Sequence, residues 1–156
     1  MSNSEFVYVT YIRTTPEKLW DALTKPEFTR QFWVETVQEC DWKVGSSWKI
    51  VAPAGWTADS GEVVEVDPPR KLVLNWRNEF QSELRAEGYS QMTYLIEPQG
   101  ETVKLTVSHT MDRPNSKLIK GVSTGWPMIL CSLKSLLETG ESFVDTRTWP
   151  ADAQPN

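Results

Sequence analysis

His109 is the single histidine of the sequence, and because an imidazole titrates near neutrality it is the first side chain to weigh for proton transfer. Such chemistry needs a partner group, and none is legible: no Ser or Cys sits in a glycine-flanked elbow. His109 is therefore the one catalytic candidate. Its plainer roles are an inward or rim group that hydrogen-bonds a ligand, or a core histidine satisfied by its neighbours. Tyr94, and Tyr89 after Glu87-Gly88, supply hydroxyls able to orient a ligand. Arg77 follows Trp76 and by strand alternation faces the other side, as a solvated edge charge. The carboxylate pairs Glu62 and Glu65, Glu79 and Glu83, and Glu138 and Glu141 read as solvated faces or loops. One His and two distant cysteines, Cys40 and Cys131, do not make a ligand set, so no metal is expected. Gly55, Gly61 and Gly88 stand alone rather than in a phosphate-binding loop, and no cofactor is expected.

The elements that would position these groups follow from periodicity. Residues 6–12 are β-branched and aromatic and read as a strand with apolar groups on both faces. Thr14 and Glu17 have capping-box spacing, Pro16 suits a first helical turn, and Leu19, Trp20 and Leu23 share a helical face that ends at Lys25-Pro26. Pro26 opens a second short helix carrying Phe28, Phe32 and Trp33. Six short strands follow, at 37–42, 47–52, 61–66, 71–77, 91–97 and 102–109, each bounded by Gly, Pro, Asp or Asn. The compact joints at 67–70 and 98–101 favour hairpins in an antiparallel meander over a parallel nucleotide-binding sheet.

The last part of the chain is helical. Trp126, Ile129, Leu130, Leu133, Leu136 and Leu137 repeat at helical spacing until Gly140 supplies a cap. Ser123 or Thr124 is placed to start this helix with Pro127 in its first turn, while Gly121 and Gly125 set residues 116–124 apart as a separate or broken piece. Residues 144–156 have two Pro and little periodicity and are read as a C-terminal tail that either frays or folds back through Trp149. The division is one α+β domain over 1–143 followed by that tail.

By strand alternation one face collects Trp48 and Ile50, then Leu72, Leu74 and Trp76, then Met92, Tyr94 and Ile96, then Val103, Leu105, Val107 and His109. This is assigned to the concave side, with Trp126, Ile129, Leu130 and Leu133 of the last helix opposite and Phe32 or Trp33 closing one end. Filling a core is the ordinary fate of such residues. An empty pocket of ~300 Å³ would cost ~7 kcal/mol, which rivals the stability of a whole domain. A cavity of that size is therefore expected to be selected for function, to be partly filled by water or ligand, or else to be absent. The loops at 53–59, with Trp56, and at 77–90 are the expected gates.

Composition narrows the partners. With 16 basic against 21 acidic residues the formal charge is −5, and the basic groups are scattered, Arg70-Lys71 being the densest pair. Such a surface repels phosphate backbones, so nucleic acid is not an expected partner. No apolar stretch approaches the ~20 residues of a membrane span, and the first five residues lack a basic, then apolar, leader. Cytoplasmic residence is the expectation. Eight Trp in 156 residues imply aromatic walls.

Three ordered motifs carry a resemblance. Residues 12–27, IRTTPEKLWDALTKPE, resemble the opening motif of proteins related to the activator of the heat-shock protein 90 ATPase, within the START-like, Bet v 1-like SRPBCC superfamily. Residues 61–76, centred on VDPPRKL, are similar to that family's fourth and fifth strands. Gly125-Trp126 followed by Leu130, Leu133-Lys134 and Leu137-Glu138-Thr139-Gly140 resembles its closing helix. The resemblance implies a helix-grip fold, with a curved antiparallel sheet of about seven strands wrapped around a long C-terminal helix. It also implies an apolar ligand cavity, here lined by Trp33, Trp48, Ile50, Leu74, Trp76, Met92, Tyr94, Val107 and His109 and, from the helix, Trp126, Ile129, Leu130 and Leu133. The function expected is non-enzymatic binding of a small lipophilic or aromatic molecule. Alternatives are a cyclase, dehydratase or hydrolase using the same cavity, and a co-chaperone-like interaction protein.

Overall fold

The structure is a computed structural model that describes residues 3–156; Met1 and Ser2, at the start of the predicted domain and leader reading, lie outside the described residues. Strand β1 (Ser4–Ile12) leads into helices α1 (Pro16–Thr24) and α2 (Pro26–Phe32). Then come β2 (Val37–Cys40), β3 (Ser47–Val51), β4 (Thr57–Asp67), β5 (Lys71–Asn78), a single turn α3 (Ser82–Arg85), β6 (Ser90–Gln99), β7 (Thr102–Met111) and the long helix α4 (Lys117–Thr139). The seven strands form one antiparallel sheet in the order β1-β7-β6-β5-β4-β3-β2. With α4 packed along β1 and against β7, this is the helix-grip α+β fold.

Local chemistry explains the boundaries. Thr15 caps α1 by accepting a hydrogen bond from the Lys18 N–H, with Pro16 at the first position. Alternation in β5 to β7 buries Leu72, Leu74 and Trp76, then Met92, Tyr94 and Ile96, then Val103, Leu105, Val107 and His109. The cross-strand pairs Leu74–Met92 and Met92–His109 put these side chains in rows. In β1 only one face is covered: Phe6 and Tyr8 pack on the core, while Val7, Val9 and Tyr11 are exposed.

Two sequence expectations are corrected. Residues 116–124 are not a separate piece: α4 is continuous from Lys117, with Gly121, Gly125 and Pro127 inside it. Ser116, not Ser123 or Thr124, is the cap, its Oγ accepting from the Ile119 N–H at 3.1 Å. Glu87 then takes hydrogen bonds from Ser116 Oγ, Lys117 N and Leu118 N, so a carboxylate completes the helix start. These bonds hold its carboxyl below the ordinary range against the opposing effect of burial. The second correction is β4, which starts at Thr57 and so draws residues 57–59 of the expected 53–59 gate into the sheet. Gly61 lies in it where β5 crosses so closely that a Cβ would collide with the carbonyl oxygen of Asn75.

Residues 144–156 run back across the molecule. Thr146 C=O accepts from Val34 N at 2.8 Å and the Asn156 N–H donates to Phe80 C=O at 2.8 Å. Trp149 packs edge-on against Trp56 and Phe80, with centroids 5.3 and 5.6 Å away. Trp56 thus holds this segment down, and Arg77, expected as a solvated charge, pairs with Glu79 at 2.6 Å and lies over the Tyr89 ring.

Candidate functional site

The centre of the site is Trp76, on the concave face near the end of β5. Around it stand Trp48 at 4.5 Å between centroids, His109 at 5.3 Å, Trp126 at 5.7 Å and Trp33 at 6.3 Å. Buried indoles need acceptors, and those of Trp48, Trp126 and Trp76 find them. Trp48 Nε1 donates to Gln38 Oε1 at 2.8 Å, Trp126 Nε1 to His109 Nδ1 at 3.2 Å, and Trp76 Nε1 to Asp59 Oδ1 at 3.0 Å.

These bonds determine the state of His109. An indole N–H can only donate, so Nδ1 is the acceptor and the proton sits on Nε2. Nε2 lies 2.7 Å from Ser90 Oγ, which receives that proton and passes its own hydrogen to the Trp76 carbonyl at 2.8 Å. The imidazole is fully buried and burial pushes its pKa down to about 4. Taking up a proton would break the Trp126 bond and charge a dry site. His109 in this arrangement is a neutral spacer that fixes Trp126, with no nitrogen left for a ligand.

Beneath the first half of α4 lies a cavity of about 360 Å³. Trp33, Ile50, Trp76, Trp126 and Ile129, all expected from the sequence, lie on its wall. Trp48, Leu74, Met92, Tyr94, Val107, His109, Leu130 and Leu133 lie instead in the packed interior behind it, at most 2% exposed. Tyr94 is notable among them because its hydroxyl has no hydrogen-bond partner among the described residues and burial raises its pKa well above the ordinary phenol value. Leaving a buried hydroxyl unpaired costs roughly 1–3 kcal/mol.

Several wall residues were not read from the sequence. Val34 sits beside Trp33 with φ of 46°, a left-handed conformation unfavourable for a β-branched residue, held by its hydrogen bond to Thr146. Gly121 and Gly125 present bare backbone to the cavity, and a Cβ at either would meet nothing within 4 Å. Each glycine costs α4 about 1 kcal/mol against alanine, a cost borne where side chains would take up the space. Phe80, Trp149 and Ala153 close the outer side.

Asp59 is the most consequential omission. It is half-buried on the cavity wall, and its Oδ1 accepts from both Trp76 Nε1 and Asn78 Nδ2, the latter at 3.3 Å. Burial outweighs these bonds and pushes its pKa up to about 7, with a further rise from nearby Glu79. The overlooked signal was parity: had the strand been read back from Gly61, Asp59 would have fallen on the same face as Trp48 and Trp76. A larger groove of about 760 Å³ elsewhere is lined by Arg30, Glu35, Glu141 and Arg147 and has no aromatic wall. Both cysteines are free thiols. Among the described residues, no group of three potential metal ligands gathers, and no helix is long and apolar enough to cross a membrane.

A curved sheet gripping a helix over an aromatic cavity places the molecule in the helix-grip class. Residues 13–138 match the family described as activator of Hsp90 ATPase homolog 1-like protein, and the chain belongs to that family. No curated protein matches it in sequence. Among solved structures it is similar to a Mesorhizobium loti protein at 26% identity, covering 86% of this chain and 97% of that one, with a TM-score of 0.73. The Aha1 dimer of Colwellia psychrerythraea aligns at 19% identity over 89% and 99% of the two chains with a TM-score of 0.71. CalU16 of Micromonospora echinospora aligns at 18% identity over 97% and 76% with a TM-score of 0.72. The last two likenesses are of fold.

Proposed function

We propose that this protein binds a small lipophilic or aromatic molecule in the cavity beneath α4, and that binding rather than turnover is its role. The observation that carries this reading is the wall itself. Four indoles, those of Trp33, Trp76, Trp126 and Trp149, line a space within the range of ligand sites, and two helix glycines leave that space unfilled. A closed void of the same volume would cost about 9 kcal/mol; this space opens to solvent, so water fills it until a ligand takes its place. The two free thiols suit the reducing cytoplasm in which we place the protein.

Native mass spectrometry of freshly purified protein, with a thermal-shift panel of lipophilic molecules, tests this. A binding member at a hundred times its Kd is expected to add ~2.7 kcal/mol, or roughly 5 to 10 °C. A bare protein mass together with a flat panel removes the reading.

Asp59 favours a second reading, an enzyme of cyclase, dehydratase or hydrolase type. A carboxyl that titrates at about 7 on an aromatic wall is matched to proton transfer near neutrality. Recovery of a ligand chemically altered by wild type but unaltered by Asp59→Asn would establish it, and unaltered recovery from both dismisses it.

A further inference from the structure

We infer that the ligand of this cavity carries a protonated amine on an aromatic or alicyclic body, with the ammonium seated against the Asp59 carboxylate. The inference rests on the cavity reading above and specifies its chemistry. Asp59 is the single charged residue on the cavity wall among the described residues. Its Oδ1 holds both of its hydrogen bonds, and Oδ2 accepts none from the described residues. Of Thr36, Asn78 and Gln81, the other polar side chains of the wall, the first two are engaged within the protein and the Gln81 amide, which is uncharged, makes no hydrogen bond among the described residues. Asn78 donates to Asp59 and accepts from Gln81 N at 2.9 Å, and Thr36 donates to the Trp33 carbonyl at 2.7 Å. The unengaged polar atom beside Trp76 is thus an anionic oxygen.

The remaining wall strengthens the preference for a cation. Trp33, Trp76, Trp126, Trp149 and Phe80 contribute rings, whose negative faces attract an ammonium by cation–π interaction and repel a carboxylate. Among the described residues no Lys, Arg or His lies on the wall. A fatty acid or other anion would meet a carboxylate and ring faces with no compensating positive charge. An ammonium would offset the cost of burying Asp59, and a neutral alcohol would do so only through one hydrogen bond.

The charges facing Asp59 set the pH dependence. From the segment after β5 comes Glu79, itself bound by Arg77 at 2.6 Å and by Ser60 Oγ at 2.6 Å, with Arg85 donating to its backbone carbonyl. From β7 comes His109, behind Trp76 and neutral above its pKa of about 4. The wall residues of α4, of the α2–β2 connection and of residues 149–153 are uncharged. Asp59 is therefore the group that titrates at the site near neutrality, at about 7. A bound ammonium favours the carboxylate, so binding releases a proton and amine affinity rises as pH passes through that value.

Isothermal titration calorimetry with tryptamine, tryptophol and indolepropionate, which share an indole body and differ in charge, tests the inference. At about pH 8 tryptamine is expected to bind ~10-fold more tightly than tryptophol, with indolepropionate weakest. The tryptamine advantage shrinks toward about pH 6 as Asp59 is protonated. In Asp59→Asn the ratio of tryptamine to tryptophol affinity falls toward one and loses its pH dependence. Tryptophol or indolepropionate binding as tightly as tryptamine to wild type overturns the inference and leaves the cavity reading standing. A tryptamine preference that is independent of pH in wild type, or that survives in Asp59→Asn, overturns it as well. Absence of binding by all three overturns the inference, and leaves the cavity reading standing where another member of the lipophilic panel binds.

Discussion

Trp126→Ala is expected to destabilise the protein by about 3–5 kcal/mol, and Trp126→Phe by roughly 1–3 kcal/mol. The alanine variant loses a buried indole that touches Trp33, Trp76 and Tyr94 at centroid distances of 5.5 to 5.9 Å. The phenylalanine variant keeps much of that contact and removes the N–H. Its cost measures what it is to leave His109 Nδ1, a fully buried acceptor, without a donor. Urea unfolding of both variants checks this. A phenylalanine variant within a few tenths of a kcal/mol of wild type would mean that the histidine is not held as described.

The second large effect is electrostatic. Asp59→Asn is expected to be more stable than wild type above pH 7, by on the order of 2–4 kcal/mol after allowance for partial exposure, and to lose that advantage in acid. The pKa of Asp59 in the folded protein, about 7, lies above the ordinary 3.8. Its contribution to stability is therefore fully present below the ordinary value and lost as pH rises through about 7. His109 acts with the opposite sign: its folded pKa of about 4 lies below the ordinary 6.5, so stability is lost as pH falls from 6.5 through 4. In wild type the two trends offset each other between those limits. In Asp59→Asn the histidine acts alone, and stability should climb with pH from about 4 to about 6.5 and then level. Denaturant midpoints across that range decide the matter, and parallel curves for the two proteins would contradict it.

The pattern of strands was readable because burial on one face imposes a period of two, which Met92, Tyr94 and Ile96 display without interruption and Leu72, Leu74 and Trp76 display with Val73 buried between the first two. Asp59 was hidden by a convention of reading. Glycine usually punctuates, so the sequence reads as a strand beginning at Gly61, whereas that glycine lies inside β4 because the Asn75 carbonyl crosses over it. Gly121 and Gly125 misled in the same way. They read as breaks in a helix that is sustained by the Ser116 cap, by Glu87 and by the tertiary burial of Trp126, Leu130 and Leu133. A satisfied core histidine and a tail folded back through Trp149 are both among the sequence readings, but the partners that fix them are not legible in local pattern. The first depends on Ser90 and Trp126, and the second on Trp56 and Phe80, contacts that exist only once distant elements have packed.

The most direct test of a ligand site beneath α4 uses the eight tryptophans as position markers, by following their indole N–H signals in proton–nitrogen NMR as a binding molecule is added. The signals of Trp33, Trp76, Trp126 and Trp149, which line the cavity, are predicted to shift together with the titration, while those of Trp20 and Trp42, which do not, stay in place. Shifts confined to Trp20 and Trp42, or saturation with no movement of the four cavity indoles, would contradict the account.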